Sequence, residues 1–205
     1  MDMAEYNRVK GMTYEEYCEY LQEKYGIGLA DYMTNAFNPN PKCKRTNDGL
    51  LAHHKAEDKM IMLSNKNIAQ KAPFEWQKKE NIVYCDLLEH LLLHVKICEY
   101  PSPAALPVFD VGVGGVINFI VPELNDLYSG WETKQDWRKN VHAKVIDDKD
   151  VYIEILREFV EWAQDNREDI KPGALRTSFN EQYGLWSRLR NRALYHEIDK
   201  LWKWV

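Results

Sequence analysis

The stretch NIVYCDLLEHLLLHVKIC, Asn81 to Cys98, decides how this chain is read. It opens with a β-compatible tripeptide and continues as a leucine-rich helix. Leu87, Leu88, Leu91, Leu92 and Val95 cover a wide arc of that helix, so it is expected to be nearly surrounded by protein. His90 and His94 stand four apart on it, and side chains at that spacing share one face with Cβ atoms about 6 Å apart, close enough for one metal ion. Upstream, GLLAHH (Gly49 to His54) and MIML (Met60 to Leu63) are short apolar runs separated by KAEDK. They predict two strands joined by a charged turn as a β-hairpin. The expected order is strand, strand, helix.

A histidine pair on a leucine-rich helix is more often a hydrogen-bonded core feature than a metal site. The doublet His53-His54 supplies a third candidate ligand. At the end of a strand, successive side chains take different directions, so one imidazole can face a metal and its neighbour a substrate. Three protein ligands leave positions open for water or a phosphate oxygen, which is a catalytic rather than a structural arrangement. The remaining histidine, titrating near neutrality, can take a proton from an attacking water. Glu57 and Asp58 follow the doublet; they either orient the ligand imidazoles or are solvated carboxylates of a charged turn.

The doublet in LLAHHKAED, Asn81, and the His90-x3-His94 pair together resemble the HNH nuclease family with its ββα-metal fold, in the His-His variety found in bacterial DNase toxins. The resemblance covers Gly49 to Val95, a quarter of the chain. It implies that His53, His90 and His94 hold one divalent ion (Zn, Ni, Mg or Mn), that His54 activates water, and that Asn81 fixes the loop orienting His54. The segment SNKNIAQKAPFEWQKK between doublet and Asn81 is longer than in compact members, so Asn65 or Asn67 is an alternative to Asn81. The implied activity is metal-dependent endonucleolytic hydrolysis of DNA, such as phages and mobile elements often encode. The competing expectation is a non-catalytic nucleic-acid- or protein-binding protein that keeps a structural zinc in a ββα scaffold.

Around this unit, the expected fold class is α+β and mostly helical, with N-terminal (1–36) and C-terminal (101–205) helical extensions flanking an HNH-like unit (37–100). Thr13 to Tyr25 begins with a capping-box pattern, Thr13 and Glu16, and stops before Gly26. NPNPKCKRTND is irregular, and short helical turns divided by Pro73 are expected from Asn67 to Glu80. Beyond the prolines 101, 103 and 107, Asp150 to Gln164 has the period of an amphipathic helix, and Ser178 to Val205 suggests one or two more. GVGGV (Gly112 to Val116) lacks the P-loop lysine and GxGxxG spacing and reads as a packed turn. Trp131, Trp137 and Trp162 are expected in the core.

The chain of 205 residues is 45% hydrophobic, 29% charged and 12% aromatic, a globular composition. Its net charge of -5 argues against a uniform basic coat for nucleic acid, though Asn38 to Tyr100 holds ten Lys/Arg against eight Asp/Glu. Phosphate contacts are expected from Lys42, Lys44, Arg45, Lys55, Lys78 and Lys79, with Lys66 and Lys71 near the motif. WSRLRNR (Trp186 to Arg192) is a second candidate surface, although alternate spacing should scatter its arginines around a helix. Without a membrane-length apolar run, an apolar leader or a CxxC pair, the chain is expected to be cytoplasmic, with reduced thiols, no membrane partner and a homodimer as an option.

Overall fold

The structure is a computed structural model that describes residues 1–105, 110–184 and 188–202. Pro107, Trp186, Ser187 and residues 203–205, which enter the expectations above, lie outside the described residues. Helices α1 (Met3–Val9) and α2 (Tyr14–Tyr25) come first. The capping box forms at Thr13: its hydroxyl accepts from Glu16 N–H, and the Glu16 carboxylate accepts the Thr13 N–H at 2.8 Å. Strands β1 (Leu51–His54) and β2 (Ile82–Cys85) then pair antiparallel, with His53 opposite Val83 and His54 opposite Ile82.

The expected hairpin partner, Met60 to Leu63, is not a strand. KAEDK offers none of the Gly or Asn residues that a tight hairpin requires, and Lys55–Asp58 winds directly into a 3-10 turn instead. Met60 and Leu63 are buried with Ala56 in a small separate cluster. The partner strand comes from the IVYC of Ile82–Cys85, buried on both faces. The residues between the strands form a four-residue helix α3 (Lys66–Ala69) and 3-10 turns at Phe74–Gln77 and Lys79–Asn81, with Pro73 dividing them as expected.

Helix α4 (Leu87–Glu99) starts one residue after β2, capped by Asp86 and Glu89 in a second capping box. Every residue from Leu87 to Cys98 is buried except His90. This helix packs against α2 and against α8 (Lys149–Asn166), with α5 (Val113–Gly115) and the π-helical turn Val116–Ile120 on another side. The remaining helices are α6 (Val121–Tyr128), α7 (Asp136–Ala143), α9 (Phe179–Gln182) and α10 (Arg192–Asp199). One hydrophobic cluster runs through residues of α1, α2, α4, α6, α8 and α10. The fold is α+β and mostly helical, with one two-stranded sheet among the described residues.

Trp137 and Trp162 pack half-buried against the core, and the Arg45 guanidinium lies 4.3 Å from the Trp137 ring. All four cysteines are buried free thiols. Among the described residues no helix is long and apolar enough to cross a membrane.

Candidate metal centre

His53 is delivered by the end of β1 and His90 and His94 by adjacent turns of α4. Their ring centroids form a near-equilateral triangle with sides of 5.2, 5.1 and 5.1 Å. One nitrogen from each ring lies within 4.8 Å of the others, so the cluster could hold a metal ion. The nitrogen that His53 offers follows from its other contact. Its Nε2 stands 2.9 Å from the Tyr14 hydroxyl, which also meets the carbonyls of His54 and Lys55 at 3.3 and 3.2 Å. The phenol has one proton and three acceptors in reach; with that proton on a carbonyl, the phenol oxygen accepts Nε2–H. The lone pair of His53 is then on Nδ1, which is buried without a hydrogen-bond partner. A buried bare imidazole lone pair is costly unless something binds it, and it is the donor a divalent ion requires.

The local electrostatics keep these rings in the ligating form. Burial pushes His53 and His94 below the ordinary histidine value, and His90 down to about 3. Glu57, on the 3-10 turn after the doublet, sits among them: Oε2 is 3.6 Å from His53 Nδ1 and from His94 Nε2, and Oε1 is 3.6 Å from His54 Nδ1. Burial alone would raise its carboxyl, but the surrounding imidazoles of His53, His54 and His94 hold it below the usual carboxylate range. The solvated-turn reading of Glu57 is therefore overturned, whereas Asp58 has Lys59 as its neighbour at 3.9 Å.

His54 points to the other side of the strand, its ring 4.3 Å from that of Tyr32. Its Nε2 is 3.2 Å from Gln77 Oε1, and Gln77 Nε2 donates to the Leu63 carbonyl at 3.2 Å. The second bond fixes the amide orientation, because only NH2 can face a carbonyl. Gln77 Oε1 therefore accepts from His54 Nε2–H and leaves the His54 lone pair on Nδ1, on the Glu57 side. Asn81 does not touch His54; its side chain donates to the Glu75 carbonyl at 2.9 Å, in the turn that carries Gln77. Asn65 caps α3 by accepting from Asn67 N–H, so its side chain is occupied locally, and Asn67 enters that bond through its backbone alone. Neither Gln77 nor Tyr14 carries a signal in the sequence, since each reaches its histidine across a loop.

His54, Glu57, His90 and His94 open onto a cavity of about 830 Å³ whose far wall is Val113, Gly115 and the π-helical turn. GVGGV acquires its meaning here. A Cβ on Gly115 would lie 2.2 Å from His94 Nδ1, so only glycine lets this wall lie flat on the ring, and Gly112 turns the chain into the wall at φ 83°. Phe119 and Met62, 58% and 44% exposed, add apolar surface at the same cavity. Its cation is Arg167, clasped by Asp110 and Asp169 at 2.7 Å each.

None of Lys42, Lys44, Arg45, Lys55, Lys78 or Lys79 lines this cavity. Lys78 pairs with Asp31 at 3.0 Å, Lys55 reaches Gln22 at 3.4 Å, and Lys42 and Lys44 are exposed. Of the WSRLRNR arginines, Arg188 and Arg192 line a second cavity of about 820 Å³ with Arg176 and His196, and Arg190 is not among its lining residues. Residues Arg188–Arg190 form a 3-10 turn just ahead of α10.

Two outcomes are expected. Gly115→Ala should weaken metal binding on the order of 10–100-fold by displacing His94, while Gly114→Ala, whose Cβ meets its nearest atom at 3.7 Å, should not; equilibrium metal titration of both checks this. In the metal-free protein, the three histidines stay neutral where the unfolded chain takes protons, so stability falls as pH drops below about 6.5 toward the depressed folded values. Glu57, depressed below its unfolded value, loses its contribution in the same direction at lower pH. Calorimetry in EDTA should show the melting temperature falling by up to about 4 °C per pH unit for each such histidine, and replacing His90 by Gln should flatten the slope.

Comparison of the chain with protein-family models, with curated proteins and with solved structures finds no match in any of the three, so a function has to be read from this geometry.

Proposed function

We propose that the chain is a metal-dependent endonuclease of the HNH type that hydrolyses DNA phosphodiester bonds with one divalent ion and His54 as general base. The observation that carries this reading is the division of labour within the doublet. His53 clusters with His90 and His94, while the His54 ring stays out of that cluster, packed on Tyr32 and bonded at Nε2 to Gln77. A purely structural site gives no reason for the second histidine.

A divalent ion held by the three imidazoles would supply Lewis-acid stabilisation of negative charge developing on a phosphate. The chain's own residues do the rest. His54 takes a proton at Nδ1 from a water in line with the scissile bond, and the imidazolium so formed faces the Glu57 carboxylate, which stabilises it. Gln77 keeps Nε2 protonated through the cycle, and Tyr14 does the same for His53. The apolar wall of Val113 and Ile117 limits water around these groups, which strengthens their electrostatics.

The cavity lining favours a second reading at one point. With Arg167 neutralised by two aspartates and the lysines elsewhere, the surface over the histidines is not basic. A binding protein that uses zinc to hold its strands and helix together would have no need of a basic cleft.

The deciding experiment is nicking of supercoiled plasmid with added Mg²⁺, Mn²⁺, Ni²⁺ or Zn²⁺ and EDTA as blank. Wild type should cut in a metal-dependent way, and His54→Ala should not while keeping its metal. Stoichiometric metal without cleavage under any of these ions would favour the structural reading. Gln77→Glu should shift the acid limb of the pH–rate profile to higher pH, because a carboxylate at Nε2 favours the protonated ring; an acid limb that does not move would remove Gln77 from the catalytic arrangement.

A further inference from the structure

Glu57 is not a surface carboxylate: its two oxygens sit among three histidine rings. The turn Lys55–Asp58 follows the doublet without a spacer, so one short run of chain delivers His53, His54 and Glu57 to the same spot. Glu57 Oε2 is equidistant from His53 Nδ1 and His94 Nε2 at 3.6 Å. That is too long for an N–H···O hydrogen bond, whose usual range ends near about 3.2 Å. Among the described residues no Lys or Arg nitrogen comes within ion-pair distance of Glu57; its charged-group neighbours are histidines.

The spacing does match two donors on one ion. With metal–nitrogen and metal–oxygen bonds of about 2.0–2.2 Å, donors separated by a tetrahedral angle lie about 3.3–3.6 Å apart. The two nitrogens that face Oε2 fit as donors: His53 Nδ1 is buried with no hydrogen-bond partner, and His94 Nε2 belongs to one of the three clustered rings. We propose that Glu57 is a fourth protein donor to the metal, with Oε2 on the ion and Oε1 facing the base His54. This rests on the metal half of the reading above and not on the nuclease half.

Two consequences follow from the chemistry of the set. A carboxylate adds a hard, anionic donor to three imidazoles, which widens the suitable ions from those that prefer nitrogen toward Mn²⁺ and Mg²⁺. A fourth protein donor would also leave a four-coordinate ion no place for a substrate atom, which could then join only where the ion accepts five or six donors. Through its two oxygens Glu57 links the ion to the base, and His54 is oriented by the residue that completes the metal site.

The test is titration of the whole chelator-stripped chain with Co²⁺, followed by its visible absorption, for wild type, Glu57→Gln and Glu57→His. Wild type should bind one equivalent. Glu57→Gln should bind at least tenfold more weakly with altered d–d bands, because an anionic oxygen donor is lost. Glu57→His should recover affinity with a shifted spectrum, because it offers a neutral donor at similar reach. Glu57→Gln with wild-type affinity and spectrum would overturn the proposal and leave the three-histidine site intact. So would a Glu57→His variant as weak as Glu57→Gln, since charge rather than ligation would then be what matters. Absence of Co²⁺ binding by folded wild type would overturn this inference and the metal reading together. Thermal melts in EDTA separate misfolding from a lost donor, and if Glu57→Gln does not fold, the affinity and spectrum of Glu57→His decide.

Discussion

Four imidazoles and a carboxylate gathered at the end of a two-stranded sheet have to be satisfied inside a protein core, and most of the surrounding structure can be read as the means of doing so. A buried ring nitrogen without a partner costs on the order of 1–3 kcal/mol. Tyr14 and Gln77 each take one, and both residues are supplied by segments remote from the histidines in sequence. One nitrogen from each of His53, His90 and His94 lies within 4.8 Å of the others, while His94 Nδ1 is buried against Gly115 without a hydrogen-bond partner. The His53 and His54 rings are thus positioned by Tyr14 and Gln77 before any ion or substrate arrives.

Helix α4 carries the burden of rigidity. Its first turn is held by the Asp86–Glu89 capping box, and Glu89 also receives Lys24 at 2.7 Å and the Tyr25 hydroxyl at 3.1 Å from the end of α2. Farther along, Lys96 is wholly buried and donates to the carbonyls of Lys10 and Met12, in the link between α1 and α2. These contacts pin the helix on the side away from the cavity, and His90 is left as the partly exposed residue on its buried length. The two helices of the N-terminal extension thus brace the histidine helix, and one of them contributes Tyr14 to the site itself.

The opposite face of the site is formed by the glycine-rich turn. Gly115 lies on the His94 ring and Gly112 against the His94 carbonyl, so this wall can approach α4 only where side chains are absent. The chain then continues through a π-helical turn, a form found mostly as short interruptions near functional sites, whose exposed Phe119 adds to the cavity lining. The metal candidates, the proposed base and the wall therefore come from three separated stretches, 51–58, 90–94 and 112–120, with Tyr14 and Gln77 reaching in from two more.

Legibility in the sequence followed the range of the forces involved. The i, i+4 pair, the doublet, the leucine-rich helix and the capping boxes are local patterns, and each is found where the residues put it, because helix periodicity and end-capping are satisfied within a few residues. Strand pairing is not local: Met60 to Leu63 and Ile82 to Cys85 are both plausible apolar runs beside β1. The choice fell to the one that can be buried on both faces between α2, β1 and α4. The same holds for Glu57, Gln77, Tyr14 and Gly115, whose types are common and whose roles arise from what is folded against them. By itself the sequence determined which histidines could share an ion and on which helix and strand they stand; only the tertiary structure decided which partners each ring meets, which carboxylate lies among them and which wall closes over them, because those depend on contacts between segments that no spacing rule connects.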